Sequence, residues 1–192
     1  MEKKLEKQFI ESVNRLAVRI TQEKNSVLSF SSIDKHEGTS TIVYNLAKVL
    51  QEMNNRVIVL DTNMSKTSKK DNLSLVDYLE EKAKLEDIIL NEQGIAVIES
   101  AVSEKSKTLL SSEKFSALVS LLKQTYDFVL IDTSPMSESV DSILVGRISD
   151  GMIFIVEANK HSSQILQEQV QTLKRNGISV IGTVLSKSQE SM

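Results

Sequence analysis

Short apolar runs alternate with longer amphipathic stretches along the whole chain, and this alternation limits the possible folds more than any other feature. The runs have the length and composition of buried strands and lie at 27–30, 56–60, 95–98, 128–131, 152–156 and 180–185. Helical spacing of apolar residues predicts helices at 3–22, 39–53, 75–91 (as two short helices), 112–125, 138–149 and 163–176. Alternating strands and helices predict an α/β fold with a doubly wound, mainly parallel sheet and helices on both faces.

The size and charge of the chain limit its organisation and partners. Its 192 residues suffice for one domain, predicted to span 1–192 with an N-terminal helix within 1–25. No cysteine is present, which excludes disulfides and thiolate metal sites. The net charge of −3 argues against nucleic acid as a partner.

Membrane insertion is also not expected from the sequence. No apolar run approaches the roughly 18 residues that a membrane-spanning helix needs, and the first residues lack the apolar stretch of a secretory signal. We therefore expect a cytoplasmic protein without direct membrane insertion. Any location at the inner face of the cell membrane would then depend on recruitment by another protein.

The segment that follows the first predicted strand has the spacing of an altered phosphate-binding loop. A functional loop of this kind reads G-x-x-x-x-G-K-[ST]. Here Gly38 matches the last glycine, Ser40 matches the hydroxyl that holds Mg²⁺, and Thr39 occupies the lysine position. The predicted nucleotide contacts in this loop are Glu37, Gly38, Thr39, Ser40 and Thr41. On these residues alone, a plain helix start capped by serine and threonine is an equally good interpretation.

The loss of the lysine has a direct chemical consequence. Lysine at this position contacts the β- and γ-phosphates, and a charge-assisted hydrogen bond contributes about 1.5–3 kcal/mol. Its replacement by Thr39 predicts nucleotide binding that is weaker by about tens- to hundreds-fold. We also expect Asp34 and Glu37 to bring negative charge toward the phosphate site.

Two aspartates end neighbouring predicted strands and complete a candidate metal site. Asp61 follows the second strand and Asp132 follows the fourth. Carboxylates in these places can organise Mg²⁺ beside phosphates, with Ser40 as a further ligand. The alternative for each is an aspartate that ends a strand and stabilises a turn.

These motifs, taken in order, resemble those of the bacterial tyrosine kinases (BY-kinases) of capsule and exopolysaccharide biosynthesis, which belong to the MinD/ParA-like class of P-loop ATPases. The family's loop resembles S-S-x-x-P-G-E-G-K-S-T-x-x-x-N-L-A, which residues 31–47 match in part. Its acidic strand V-L-L-I-D-x-D is similar to residues 57–63, and its Walker B strand D-x-V-I-I-D-T-P-P is similar to residues 127–135. The resemblance covers nearly the whole chain.

The departures from the family fall on functional positions. In the phosphate loop, the family has lysine at the position of Thr39, and proline and glycine at the positions of Lys35 and His36. It has an acid at the position of Asn63, and at the position of Ser186 an asparagine that resembles an adenine-reading residue. In the N-terminal helix, the family has the arginines of a ring-forming motif at the positions of Asn14 and Ala17. The resemblance implies a tyrosine-rich substrate tail, but residues 186–192 contain no tyrosine. A replacement lysine, as in the MinD group, would fall at Asp34, so we do not expect Lys35 to take this role.

Taken together, the resemblance and the departures favour a catalytically degenerate BY-kinase homologue that acts as a regulatory or scaffold partner. We expect it to bind no cofactor, or to bind MgATP or MgADP weakly. The vestigial nucleotide site would consist of residues 37–41 and Ser186, and the vestigial Mg²⁺ site of Ser40, Asp61 and Asp132. The resemblance implies a membrane-anchored polysaccharide co-polymerase or adaptor, or an active kinase homologue, as partner. The alternatives are an active ATP-dependent protein-tyrosine kinase or ATPase with an unusual loop, and a ParA/MinD-type positioning ATPase.

Overall fold

The computed structural model describes residues 2–23, 25–65 and 72–186, with side chains from Phe9 onward. Residues 1, 24, 66–71 and 187–192 lie outside the described part. The helices are α1 Glu2–Gln22, α2 Thr39–Glu52, α3 Leu75–Leu79, α4 Leu85–Ile88, α5 Ser106–Leu110, α6 Glu113–Thr125, α7 Asp141–Gly146 and α8 Ser163–Arg175. The strands are β1 Val27–Ser32, β2 Val57–Asp61, β3 Ile89–Glu92, β4 Ile95–Ile98, β5 Phe128–Asp132, β6 Gly151–Glu157 and β7 Val180–Ser186.

The strands form one seven-stranded sheet in the order β3-β4-β2-β5-β1-β6-β7. Every neighbouring pair is parallel except β3 and β4, which are antiparallel. The predicted mainly parallel α/β sheet is therefore confirmed. The carboxyl ends of β1, β2, β5 and β6 lie at one edge of the sheet, where ligands bind in folds of this kind.

Both faces of the sheet are buried, which explains why its strands read as continuous apolar runs. On one face, Leu28 and Phe30 of β1 pack in a cluster with apolar residues of α1 and α2. On the other face, Val27 of β1 packs with apolar residues of α3, α5 and α6. The neighbouring residues of β6 pack against α8, mainly through Leu173.

The stretch predicted to be helical at 75–91 differs from the prediction at its end. Its two short helices are present, but Ile89–Glu92 forms the edge strand β3, which the sequence analysis missed. β3 and β4 are joined by a two-residue turn in which Gln93 has φ 53° and Gly94 has φ 91°. Positive φ at both positions is typical of the tight turns that close β-hairpins. The short helix α5 was also not predicted.

Within the described residues, no helix has both the length and the apolar character needed to cross a bilayer.

Candidate functional site

The loop between β1 and α2 has the backbone shape of an anion-binding nest. Gly38 is the N-cap of α2 in the left-handed conformation with φ 91°, and no side chain caps the helix start. His36, two residues earlier, also has a positive φ of 64°. The first N–H groups of a 14-residue helix therefore point toward the loop, as in phosphate-binding helix starts. The alternative of a serine- or threonine-capped helix is wrong, because Thr39 and Ser40 already lie inside the helix.

A cavity of about 580 Å³ opens at this loop, which is within the usual range for small-molecule sites. Its walls come from the loop itself, the first residues of α2, and the segments that follow β2 and β5. The lining residues are Ser32, Asp34, Lys35, His36, Glu37, Gly38, Thr39, Ser40, Thr41, Asn63, Ser65, Asp132, Thr133, Pro135 and Glu138. All five loop residues predicted to contact nucleotide are among them.

The three predicted metal residues meet at the same edge of the sheet. The Ser40 hydroxyl donates a hydrogen bond to Asp132 Oδ2 at 2.5 Å. Asp61 is paired in register with Asp132 on the adjacent strand, and its Oδ1 accepts from the Asn63 N–H at 2.8 Å. Asp61 does not line the cavity, whereas Ser40 and Asp132 do. These oxygen donors suit Mg²⁺, which is held through a few protein ligands and water beside phosphate groups.

Asn63, which replaces the second acid of the family motif, is engaged in local hydrogen bonds. Its Oδ1 accepts from Ser65 Oγ at 2.7 Å and from Ser134 Oγ at 3.2 Å. The amide oxygen therefore links the segments that follow β2 and β5. It brings no negative charge to the cavity, unlike the acid it replaces.

The position of the missing lysine is occupied by the uncharged Thr39. Among the described residues that line the cavity, Lys35 is the only lysine or arginine, and its ammonium pairs with Glu138, which also lines the cavity. A phosphate group would have to compete with this carboxylate for Lys35. The expectation that Lys35 does not take over the role of the lysine stays a prediction.

The acids of the loop have partners that the sequence analysis did not identify. Glu37 is fully buried, and its Oε1 lies 2.6 Å from His161 Nε2 and 3.1 Å from Lys160 Nζ. Asp34 Oδ2 lies 3.5 Å from the same ammonium and 3.7 Å from the same imidazole. Both acids line the cavity, and Lys160 and His161 of the loop after β6 face them.

The pKa of Lys160 reflects this environment. Burial, the largest influence, lowers the pKa, but the hydrogen bond and charge of Glu37, followed by those of Asp34, raise it above its ordinary value. Lys160 is therefore firmly cationic. Donor atoms of Asp34, Glu37 and His161 also lie within 4.8 Å of one another, a spacing that a metal ion could use. Because the Lys160 ammonium already contacts both carboxylates, we interpret the group as a salt-bridge network.

Ser186, the predicted counterpart of a base-reading residue, lies beside the phosphate loop but does not line the cavity. It is buried at the end of β7, and its hydroxyl donates to the Val156 carbonyl at 3.4 Å. Its Cβ is 3.7 Å from the position that a Cβ on Gly38 would occupy. The structure thus brings Ser186 to the loop, with its hydroxyl directed to a neighbouring strand.

A parallel sheet, a glycine-ended loop leading into a helix, and acids at adjacent strand ends together define an α/β protein of the P-loop fold class. The chain belongs to the family whose model is described as "AAA domain", which matches residues 34–179.

Its relatives are bacterial tyrosine kinases. Tyrosine-protein kinase CpsD of Streptococcus agalactiae serotype III is 26% identical over 200 residues, covering 99% of this chain and 85% of the relative. CpsD of Streptococcus pneumoniae serotype 4 is 25% identical over 200 residues, covering 97% and 88%. Tyrosine-protein kinase wzc of Salmonella typhimurium is 27% identical over 177 residues, covering 86% of this chain but 24% of the relative.

Solved structures confirm the fold. The kinase domain of VpsO has a TM-score of 0.86 at 23% identity and covers 98% of both chains. The kinase domain of the Escherichia coli tyrosine kinase ETK has a TM-score of 0.85 at 20% identity, covering 95% of this chain and 78% of that chain. MinD from Pyrococcus horikoshii, solved with Mg-ADP, has a TM-score of 0.70 at 24% identity, covering 86% and 72%. The resemblance to BY-kinases and to the MinD-like class is confirmed.

Proposed function

We propose that this chain is a catalytically degenerate BY-kinase homologue that acts as a regulatory or scaffold partner in capsule or exopolysaccharide biosynthesis. One observation carries the proposal: the phosphate loop has a nest-like backbone, but Thr39 occupies the position of the lysine that contacts phosphate in functional P-loops. Phosphoryl transfer depends on positioning and on neutralising the charge of the transferred group. A threonine hydroxyl can donate a hydrogen bond, but it supplies no positive charge.

The rest of the cavity supports weak or absent catalysis. The Lys35 ammonium forms an ion pair with Glu138, and the Asn63 amide oxygen accepts hydrogen bonds from Ser65 and Ser134. What persists is the Ser40–Asp132 contact, with Asp61 beside it. The proposed cofactor is therefore none, or MgATP or MgADP bound weakly at this vestigial site through residues 37–41, with Ser186 beside the loop.

The proposed partner follows from the named relatives. Because they are tyrosine-protein kinases, we propose that the chain binds a membrane-anchored polysaccharide co-polymerase or adaptor, or an active kinase homologue. It would act in the cytoplasm, where such a partner could recruit it to the inner face of the membrane. A net charge of −3 disfavours nucleic acid as the partner.

The proposal is tested by calorimetric titration with MgADP and MgATP, together with labelling by radioactive ATP. We expect the natural chain to bind weakly or not at all and to leave its own tyrosines unlabelled. Thr39→Lys should tighten MgADP binding by about 10- to 100-fold, since it restores a charge-assisted contact to phosphate. Thr39→Met, which is similarly long but uncharged, is the matched control and should give no such gain.

The main competing function is an active ATP-dependent tyrosine kinase or ATPase, which the names of the relatives favour. Tyrosine labelling by the natural chain at micromolar MgATP would overturn our proposal in favour of this one. Lys35→Ala would then show whether Lys35 replaces the missing lysine, because activity should fall sharply only if it does. If Thr39→Lys fails to bind nucleotide, the weak nucleotide site is refuted and a scaffold without cofactor remains.

A further inference from the structure

Glu37 occupies an unusual place in the phosphate loop. It lies between two residues with positive φ, His36 at 64° and Gly38 at 91°, so its backbone is part of the nest. Its side chain is fully buried, and Oε2 makes no hydrogen bond within the described residues. The carboxylate therefore relies on the contacts that its other oxygen makes.

Both of those contacts come from the loop between β6 and α8. His161 Nε2 lies 2.6 Å from Glu37 Oε1, and Lys160 Nζ lies 3.1 Å from the same atom. His161 is itself nearly buried, with 9% of its side chain exposed. A buried carboxylate is strongly destabilised when one partner of its charge pair is removed. We therefore expect Glu37, together with the adjoining Gly38 backbone, to move toward water when these partners are removed.

We propose that Lys160 and His161 are positioning residues for the phosphate loop, which hold the Glu37 carboxylate and thereby keep the anion-binding nest formed without a bound nucleotide. The inference rests on the proposed function because it concerns the regulation of the same pocket. The loop after β6 thus controls the shape of the site from outside the cavity, since neither residue lines it.

Hydrogen exchange measured by mass spectrometry tests the proposal without nucleotide or turnover, so its outcome is separate from that of the proposed function. The readout is the protection factor of peptides covering residues 33–41, which corrects for the intrinsic effect of pH on exchange. Lys160→Ala should lower protection by about tenfold or more, the scale of one lost charge-assisted hydrogen bond. Lys160→Arg should retain most of the protection. Lys174→Ala, at an exposed lysine of α8, is the matched control and should change nothing.

Two further comparisons separate positioning from general destabilisation. In a Glu37→Gln background the effect of Lys160→Ala should fall below about twofold, because a neutral amide needs no cation. His161→Ala should lower the protection of the same peptides, and peptides from α6 should keep their protection in both variants. The proposal is overturned if Lys160→Ala leaves the loop protected, if its effect persists in the Glu37→Gln background, or if protection falls equally in peptides from α6.

Discussion

Asp150 makes an extensive set of contacts at the start of the strand that carries the phosphate loop. Its Oδ2 accepts from the backbone N–H groups of Ser26 and Val27, each at 2.9 Å. Its Oδ1 accepts from Lys123 Nζ at 2.7 Å, and its own N–H donates to the Val27 carbonyl at 2.9 Å. One side chain at the beginning of β6 therefore fixes the beginning of β1, the neighbouring strand. We expect Asp150→Ala to destabilise the fold substantially.

The magnitude follows from the environment of each partner. Val27 is 1% exposed, so its N–H would be left buried without an acceptor, at a cost of about 1–3 kcal/mol. The Ser26 N–H is partly buried and should add about 1 kcal/mol. Lys123 is 46% exposed, so its ion pair should contribute less than about 1 kcal/mol. We expect Asp150→Ala to lower the free energy of unfolding by about 2–4 kcal/mol.

The effect should also depend on pH. Burial is the largest influence and raises the pKa of Asp150, but the hydrogen bonds from Lys123, Val27 and Ser26 together hold the pKa below its ordinary value. A carboxylate with a lowered folded-state pKa stabilises the fold above its unfolded-state pKa of about 3.9. This contribution is lost as the pH falls through the folded-state pKa. The difference between the natural chain and Asp150→Asn should therefore be largest near neutral pH and shrink below about pH 4.

Urea unfolding followed by circular dichroism measures both effects, with the midpoint and the slope fitted separately. Glu104→Gln, at an exposed acid in a loop, serves as control and should change stability by less than about 0.5 kcal/mol. A loss below about 1 kcal/mol for Asp150→Ala would refute the reasoning from buried N–H groups. A difference for Asp150→Asn that grows toward acidic pH would refute the assigned direction of the pKa.

Two further substitutions test individual backbone features by the same unfolding assay. Gly38→Ala should lower the free energy of unfolding by about 1–2 kcal/mol because of its φ of 91°, and not because of crowding, since the new Cβ would lie an ordinary 3.7 Å from Ser186 Cβ. Gly182→Ala is the control, because Gly182 has open space around it and no positive φ. Equal losses of stability in both variants would contradict the backbone explanation. Ser74→Ala should cost about 1 kcal/mol, because Ser74 caps α3 in a reciprocal capping box with Asp77, and an unchanged midpoint would show that the cap contributes nothing.

The sequence could predict the features that depend on local patterns. Apolar runs identified six of the seven strands, since a strand buried on both faces needs an unbroken apolar run. The edge strand β3 was missed because Ile89 and Leu90 continue the apolar spacing of the preceding helix, and the run is too short to show a strand pattern. The hairpin turn at Gly94 was the one available signal, and it was not used.

The residues of the candidate site likewise fall into those that local sequence patterns predicted and those that they did not. Motif spacing located Gly38, Ser40 and Asp132, because the loop and the strand ends of a parallel sheet converge at one edge by rule. The same rule applies to the end of β6, but it cannot identify which side chain there faces Glu37. That contact joins residues 124 positions apart, and no local pattern encodes it.

By itself, the sequence determined a parallel α/β sheet, the place of the phosphate loop, and the absence of its lysine, because periodicity and motif spacing are properties of neighbouring residues. Only the tertiary structure decided how the loop acids are neutralised. β1 lies beside β6 in the sheet, so the loops that follow these two strands meet, and the Glu37 carboxylate is buried against Lys160 and His161. Strand order, and not sequence distance, determines which charges can pair.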